Sequence, residues 1–551
     1  MTDDPARPRE IRSRPDPSPR RRAPPGQGAG GAPPDRRAGS RGAVFAALAE
    51  SLAVVSLWLA LAVAGRSAML RDPGTFWHIA AGEWMLDHGR VVRTDPFSFT
   101  RGGRPWVADQ WLAECAMALL WRVGGWDALV VSAAALVAAV YGWAALRVAG
   151  AGAHPLAALA ALVVAVAAGA PQFHARPLLI SMVLLPLSFA LLVEIEARRR
   201  SLLWLLSLPP LMLVWANLHP MVLGGLGTLV LGAAAWTGAR WLGRASPLSG
   251  PRDLLAVWAT VAASGLAVLV NPYGVALPRA WMAVVSMPLA GLIEEHARLS
   301  LRAPSSWAVF ALAAVYVWVW TRSSAPRSRA TWLIPAVWFV LTLLRSRNAP
   351  LFALVTLVAL ADMLPHWRAP AWLSRRDWLR QPGAKGSAPR PARGARVAWL
   401  VLAIAWGAAM LIQAAGWRAP LVGSGFARLD PAHWPLGLID ELRAVERGVP
   451  EGEPLFNDLR FGGLVIRFAP RLRVFIDDRC ALYGGDFLKA YDRARREDPA
   501  ALEPWRRQYD FRFALVETGG EFDGWLARSP DWILLRRTAP AALYRRLCTD
   551  R

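Results

Sequence analysis

Eleven apolar runs, each close to the length that crosses a bilayer, punctuate this chain between residues 43 and 415. They fall at about 43–65, 127–148, 155–173, 177–196, 202–217, 220–239, 254–270, 305–320, 331–345, 349–364 and 397–415. About 20 apolar residues of helix cover the ~30 Å hydrocarbon layer of a membrane. Backbone polar groups inside that layer must pair within their own segment, so runs of this kind fold as helices packed side by side. Pro186, Pro209 and Pro210 interrupt individual runs, which a bundle tolerates. The 551-residue chain is 55% hydrophobic and 19% charged, against about 45–50% and about 25% in soluble domains. The expected fold is an α-helical integral membrane protein with about eleven transmembrane helices and a C-terminal α/β domain.

A formal net charge of +23 raises nucleic acid as a partner, and the placement of the charge removes it. From Trp417 onward, 22 Lys and Arg stand against 20 Asp and Glu. The excess therefore sits in residues 1–42 and in short loops between the runs. With alternating spans, Arg198–Arg200, Arg240, Arg244, Arg252, Arg322, Arg327, Arg329 and the basic stretch Arg368–Arg396 share one side. The bias of Arg and Lys toward the inner face makes that side cytoplasmic, together with the N-terminus. Residues 1–42, rich in Pro, Gly, Arg and Ser, lack the apolar content to fold and are expected to be a disordered tail. About 40 polar residues precede the first run, so that run does not read as a signal peptide.

Residues 416–551 then emerge on the outer side. Strand patterns near Arg473–Asp477, Phe511–Glu517 and Trp532–Arg536 alternate with helical ones near 484–496 and 521–528, which suits one compact α/β domain. Three cysteines exclude a disulfide framework. Cys480 and Cys548 share this domain and are able to pair if it faces an oxidising compartment.

Sorted by side, the inner loops hold little beyond arginine, whereas the outer ends are chemically mixed. Asp72, His78, Glu83, Asp95 and Asp109 lie in the first outer loop, 66–126. His174, Arg176, Asn217, His219, Asn271, Glu294, Glu295, His296, Arg345, Arg347 and Asn348 follow at later outer ends. Ionisable groups at membrane depth are costly and face a bundle interior or an aqueous cavity. Their gathering on one face points to a site, although each alone also suits an ordinary interfacial loop. Residues 75–86 have helical spacing and suit an interfacial helix carrying His78. Asp95-Pro96 and Ser98 have the chemistry of a turn. Asp477-Asp478-Arg479 closes an expected strand and reads as structural or acceptor-positioning. The chain has no phosphate-cradling loop and no CxxC or HExxH metal motif. Gly224–Gly227 lies within a membrane run, where small residues permit close packing.

The string Asp72, Trp77-His78, Gly82-Glu83-Trp84, Asp95-Pro-Phe-Ser-Phe-Thr100, Trp106 and Trp111 resembles a bacterial family of multispanning proteins similar to the GT-C superfamily of glycosyltransferases. Arg176-Pro177, Trp215-Ala-Asn-Leu-His219, Asn271-Pro-Tyr-Gly274, Arg347-Asn348 and Phe456-Asn-Asp458 through Asp477-Asp-Arg479 and Tyr483-Gly484 extend the likeness over residues 43–551.

The resemblance implies a transferase in the bacterial cytoplasmic membrane. It would move a sugar from a polyprenyl-phosphate donor to a glycan, lipid or protein acceptor at the outer face. Asp72 then matches the carboxylate that serves as base or organises the acceptor. His78, Glu83 and Asp95 join it as catalytic candidates. Arg176 and Arg347 are the candidates for the donor phosphate, because a guanidinium fork binds phosphate oxygens in pairs. Asn217, His219, Asn271, Asn348, Asp477 and Arg479 are candidates for substrate binding. His78, Glu83 and His219 suit sugar hydroxyls or a divalent cation, and no spacing chooses between these. Asp72-Pro73 departs from the adjacent acids usual in protein O-mannosyltransferases. A flippase of lipid-linked precursors is the alternative class. It predicts mid-membrane charges and repeat symmetry, neither of which the chain shows clearly. A non-catalytic envelope scaffold is the third, and would tolerate the loss of Asp72.

Overall fold

The computed structural model of the chain describes residues 36–287, 296–323, 329–368 and 393–547. Cys548, Glu294, Glu295 and the expected tail up to residue 35 lie outside the described residues. The apolar runs fold as helices. α1 (Arg36–Ala68) leads through a turn into α2 (Gly74–His88), and an extended loop reaches α3 (Trp111–Gly150). Gly124 and Gly125 leave helical geometry, so α3 divides into an outer arm and the expected membrane run. There follow α4 (Pro155–Gly169), α5 (Leu178–Glu196), α6 (Leu208–Leu218), α7 (Val222–Trp241), α8 (Pro251–Ala267), α9 (Ala276–Ser286), α10 (Pro304–Thr321), α11 (Ile334–Leu344), α12 (Ala349–Met363) and α13 (Arg393–Ala414).

Among the described residues, eight helical segments are long and apolar enough to cross a membrane. The expected runs near 202–217, 254–270 and 331–345 are helical too, but shorter. Prolines explain two of these. Pro209–Pro210 and Pro335 occupy the first turns of α6 and α11, where proline is tolerated, and each α-helix follows a 3-10 turn. α12 is buried along its whole length, with its apolar side chains in the same core as those of α3 and α5. Leu52, Leu159, Leu255 and Leu400 project from the bundle's exterior, as suits lipid contact.

The two ends of the bundle differ in chemistry. At one end, Arg147 and Arg200 share Glu194, Arg199 and Arg329 share Asp362, and Glu196 accepts the N–H groups of Ala330 and Thr331. These are the arginine-loop residues of the sequence. At the other end stand Asp72, Arg176 and His174.

The C-terminal segment adds α14 (Ile439–Arg447), β1 (Pro454–Asn457), α15 (Leu459–Phe468), β2 (Arg473–Val474), α16 (Cys480–Tyr483), α17 (Gly485–Arg496), α18 (Leu502–Tyr509), β3 (Phe513–Glu517), α19 (Glu521–Arg528), β4 (Trp532–Arg537) and β5 (Ala541–Arg546). The sheet order is β2-β1-β3-β5-β4. β1 pairs in parallel with β2 and β3, and β5 is antiparallel to both β3 and β4.

The loop between α2 and α3 completes the β2 edge. Ser98 bridges Val474 in parallel. Phe99 N–H donates to the Val474 carbonyl, Val474 N–H to the Phe97 carbonyl, and Thr100 Oγ1 to the Phe475 carbonyl at 2.7 Å. The loop thus covers a strand edge that would otherwise offer unpaired backbone groups. Arg479 locks it there. Its guanidinium donates to Asp95 Oδ1 at 2.7 Å, and to Asp477 Oδ1 and Oδ2 at 2.8 and 2.7 Å. It also lies over the Trp106 ring.

All three side chains are 0–1% exposed. Asp95, expected to be catalytic, and Asp477 and Arg479, expected to bind substrate, therefore fasten the loop to the sheet. Burial leaves a substrate no route to them, and their hydrogen bonds are spent on one another, on Phe97 and Ser98, and on Tyr483.

Removing one member of a buried ion pair typically costs about 3–5 kcal/mol, because the other charge is stranded. Arg479→Met leaves two carboxylates stranded. It is expected to destabilise the loop–sheet junction by about this amount, read as early proteolytic cleavage between residues 90 and 105. Unchanged cleavage would refute the clamp.

Candidate active site

The turn between α1 and α2 holds the site. Asp72 follows α1 closely, and its Oδ1 accepts the Gly74 N–H at 2.7 Å. That places the carboxylate at the positive end of the α2 dipole. Its Oδ2 accepts from Arg176 Nη1 at 2.7 Å, with the two side chains 11% and 9% exposed. Gln172 Oε1 receives Arg176 Nη2 at 2.6 Å and fixes the fork.

The loop carrying Arg176 is stitched to the turn. Ala175 N–H donates to the Met69 carbonyl at 2.8 Å, Thr75 Oγ1 donates to the Ala175 carbonyl at 3.1 Å, and His174 Nδ1 lies 3.3 Å from the Ala68 carbonyl. From the other flank, Trp434 Nε1 donates to the Leu70 carbonyl, and Asp430 pairs with Arg71 at 2.8 Å.

Gly74 is the hub. A Cβ there would lie 2.7 Å from Asp72 Oδ1, 3.1 Å from Asp478 Oδ2 and 3.5 Å from His78 Cδ2. Three polar side chains from loop, helix and C-terminal domain thus surround one glycine. Asp478 is held by Trp77 Nε1, which donates to Oδ1 at 2.5 Å. Burial, with Asp72 and Asp477 nearby, pushes its carboxyl well above the usual range. Asp72 beside a cation and Asp478 in an enclosed acidic setting differ in environment, as paired acid and base groups do.

Two further glycines, both on α15, allow close approaches of the C-terminal segment. A Cβ at Gly463 of α15 would lie 2.4 Å from the Pro73 carbonyl, and one at Gly462 would lie 2.2 Å from that of Ile476.

Below Gly74, His78 Nδ1 lies 3.1 Å from Glu114 Oε1. Glu114 is fully buried, and its Oε2 has no hydrogen-bond partner among the described residues. An imidazole oriented by a carboxylate is a common arrangement for proton transfer. At Gly82, where α2 crosses α3, a Cβ would fall 2.0 Å from the Glu114 carbonyl, so Gly82 sets this depth. Asp109, half-buried, stands beside this pair. Burial first, then the Glu114 carboxylate, raise its pKa to about 6.

Of the other sequence candidates, Glu83, Asn217, His219, Asn271 and Asn348 are engaged by neighbouring side chains and backbone. Glu83 pairs with Arg467 of α15. Asn217 Oδ1 accepts from Trp111 Nε1 at 2.8 Å, and its Nδ2 donates to the Val270 carbonyl at 3.0 Å. His219 Nδ1 accepts the Met221 N–H at 3.1 Å and lies 3.0 Å from Ser181 Oγ. Asn271 closes its own turn through the Tyr273 N–H and the Gly274 carbonyl, and Asn348 donates to the Leu341 carbonyl at 2.9 Å. Arg347 Nη1 lies 2.7 Å from His296 Nε2, while Arg345 donates to the Val285 carbonyl.

Asp478, Glu114 and Gln172 are the residues that sequence reasoning missed as candidates. Asp478 stood in a noticed string, but nothing in the string separates it from Asp477, whose carboxylate turns inward. Among the described residues, no group of three or more His, Cys, Asp or Glu has the geometry of a metal site.

No protein-family profile matches this chain, and no curated protein does. Solved structures do. The chain is similar to the oligosaccharyltransferase of Archaeoglobus fulgidus in its apo form, at 11% identity and TM-score 0.48, over 86% of this chain and 69% of that one. The same enzyme tethered to an acceptor peptide gives 10%, 0.48, 85% and 69%. ArnT from Cupriavidus metallidurans, bound to undecaprenyl phosphate, gives 14% and 0.47 over 93% and 99%.

The raised pKa of Asp109 makes a signed prediction. Below about pH 4, the ordinary carboxylate value, folded and unfolded chains both hold this proton. Between there and about 6 the unfolded chain releases it first, so stability falls as pH rises, and above that window the loss is constant. Asp109→Asn is expected to gain thermal stability over wild type at pH 7.5 but not at pH 4, by unfolding in nanodiscs. A gain independent of pH would contradict the assignment.

Proposed function

We propose that this protein is a membrane glycosyltransferase that moves a sugar from a polyprenyl-phosphate donor to an acceptor hydroxyl at the outer face of a bacterial cytoplasmic membrane. The observation that carries the proposal is the Asp72 carboxylate at the membrane end of the bundle, braced by Arg176 at 2.7 Å and the Gly74 N–H at 2.7 Å. His78 and Asp478 stand around the same glycine.

In this scheme the acceptor hydroxyl enters beside Asp72, which takes its proton as general base. The acceptor oxygen forms its bond to the sugar's anomeric carbon while the bond from that carbon to the phosphate oxygen breaks. The polyprenyl phosphate leaves with the electron pair. Arg176 sits where it both holds the base and meets the developing phosphate charge, with Arg347 as the second cation. Asp478, kept protonated by its surroundings, donates a hydrogen bond to the sugar. His78, oriented by Glu114, receives a hydroxyl on the opposite flank. The outer domain shapes the acceptor side. The polar groups gather at the ends of the bundle rather than in its middle, which disfavours the flippase alternative.

The test uses protein in nanodiscs with a panel of polyprenyl-phosphate and polyprenyl-diphosphate sugars. Wild type is expected to release the free lipid phosphate. Asp72→Asn is expected to fall by about a hundredfold or more, the usual range for a lost general base. Binding without turnover by both proteins would favour a flippase, and no binding of any donor would sink the proposal.

A further inference from the structure

The end of the bundle opposite Asp72 holds a cavity of about 900 Å³ between the end of α5, the 3-10 turn Leu202–Ser207, α6 and α8. This is at the upper end of ligand-pocket sizes, about 300–1,000 Å³. Its position has no part in the transfer chemistry, and its walls and mouth differ. Ala256, Ala259 and Ala263 line one wall. They recur along α8 at near-helical spacing, and their small side chains leave the hollow unfilled. Leu203 and Leu206, facing them, are 73% and 67% exposed, so the wall is apolar and open to the membrane side.

The mouth is cationic by count. Glu194 is shared by Arg147 and Arg200, and Asp362 by Arg199 and Arg329, so each carboxylate faces two guanidinium groups. Arg198 is exposed. It donates to the Ser246 carbonyl at 2.8 Å and meets no carboxylate among the described residues. Asp253, the acid of the lining, is turned to the Ser249 N–H at 2.6 Å. An apolar slot under an arginine rim fits an acyl chain below an anionic headgroup, the arrangement by which basic pockets between membrane helices hold acidic lipids.

We infer that this cavity binds one anionic glycerophospholipid of the surrounding leaflet, headgroup at Arg198 and acyl chain against the alanine wall of α8. Charge complementarity selects the acidic headgroup. Bulk phospholipid is the molecule of this chemistry already at the mouth. The inference is independent of the proposed transferase activity.

The experiment is native mass spectrometry of the full chain released from nanodiscs of mixed phosphatidylglycerol and phosphatidylcholine. Wild type is expected to retain one phosphatidylglycerol in preference to phosphatidylcholine. Arg198 has φ +59°, a left-handed conformation that asparagine tolerates, so Arg198→Asn removes the charge without backbone strain. It is expected to lower the headgroup preference about fivefold, the effect of one arginine near an anionic surface. Ala259→Trp, which fills the slot, is expected to lose the retained lipid whatever its headgroup. Ala263→Phe repeats the test at a second position, and an unchanged unfolding midpoint in the same nanodiscs verifies folding. Equal retention of both lipids, no retained lipid, or variants that behave like wild type would overturn the inference. So would displacement by polyprenyl phosphate but not by added phosphatidylglycerol, which would give the cavity to a different lipid.

Discussion

The ion pair between Asp72 and Arg176 joins two parts of the chain 104 residues apart, at a depth where water screens little. A carboxylate in such a place costs several kcal/mol unless a cation and hydrogen-bond donors meet it. The surrounding structure supplies them. The N-terminus of α2 offers an N–H, Gln172 fixes the guanidinium, and the Met69 carbonyl and the Thr75 hydroxyl hold the Arg176 loop in place. The turn after α1 can adopt this shape because Gly74 has no side chain to displace the carboxylates around it.

The C-terminal domain packs beside that turn, and the loop between α2 and α3 ties into its sheet. The segment from Asp95 to Thr100 lies along the β2 edge, Arg479 pins it, Gly463 lets α15 settle onto Pro73, and Gly462 lets it settle onto Ile476. Asp478 therefore reaches the membrane end of the site as a consequence of packing two residues away at Ile476. The same close approach encloses its carboxyl and raises its pKa. Structural and chemical roles thus alternate along one short string, with Asp477 and Arg479 inside the clamp and Asp478 facing the site.

The membrane helices were legible in the sequence because hydropathy over twenty residues is a one-dimensional signal. The eleven runs are all helical, and the three short ones carry their explanation in prolines or length. The strands at 473, 513 and 532 and the helices at 485 and 521 were legible from local periodicity. β1, β5 and the parallel pairing were not, since these short segments are defined by partners distant in sequence. Asp72 and Arg176 could be named as candidates from their positions at helix ends, but not as a pair. For Asp95, Asp477, Asn217 and His219 the sequence left a ligand role and a structural role open for one reason: polar residues at a membrane face serve equally well as ligands or as ties between backbones, and only the partner atoms decide. Trp111 and Met221 are those partners in two cases.

The central proposal is that the end of the bundle around Asp72 receives the phosphate of a lipid-linked donor. Its most direct test is an electron cryomicroscopy structure of the full chain in nanodiscs with a non-hydrolysable polyprenyl-phosphate sugar. The account predicts phosphate density within hydrogen-bonding distance of Arg176 or Arg347, with the sugar's anomeric carbon facing the Asp72 side of Gly74. Density for the phosphate among Arg198, Arg199 and Arg200 at the opposite end, with the Asp72–Arg176 pair undisturbed and no sugar beside it, would contradict it.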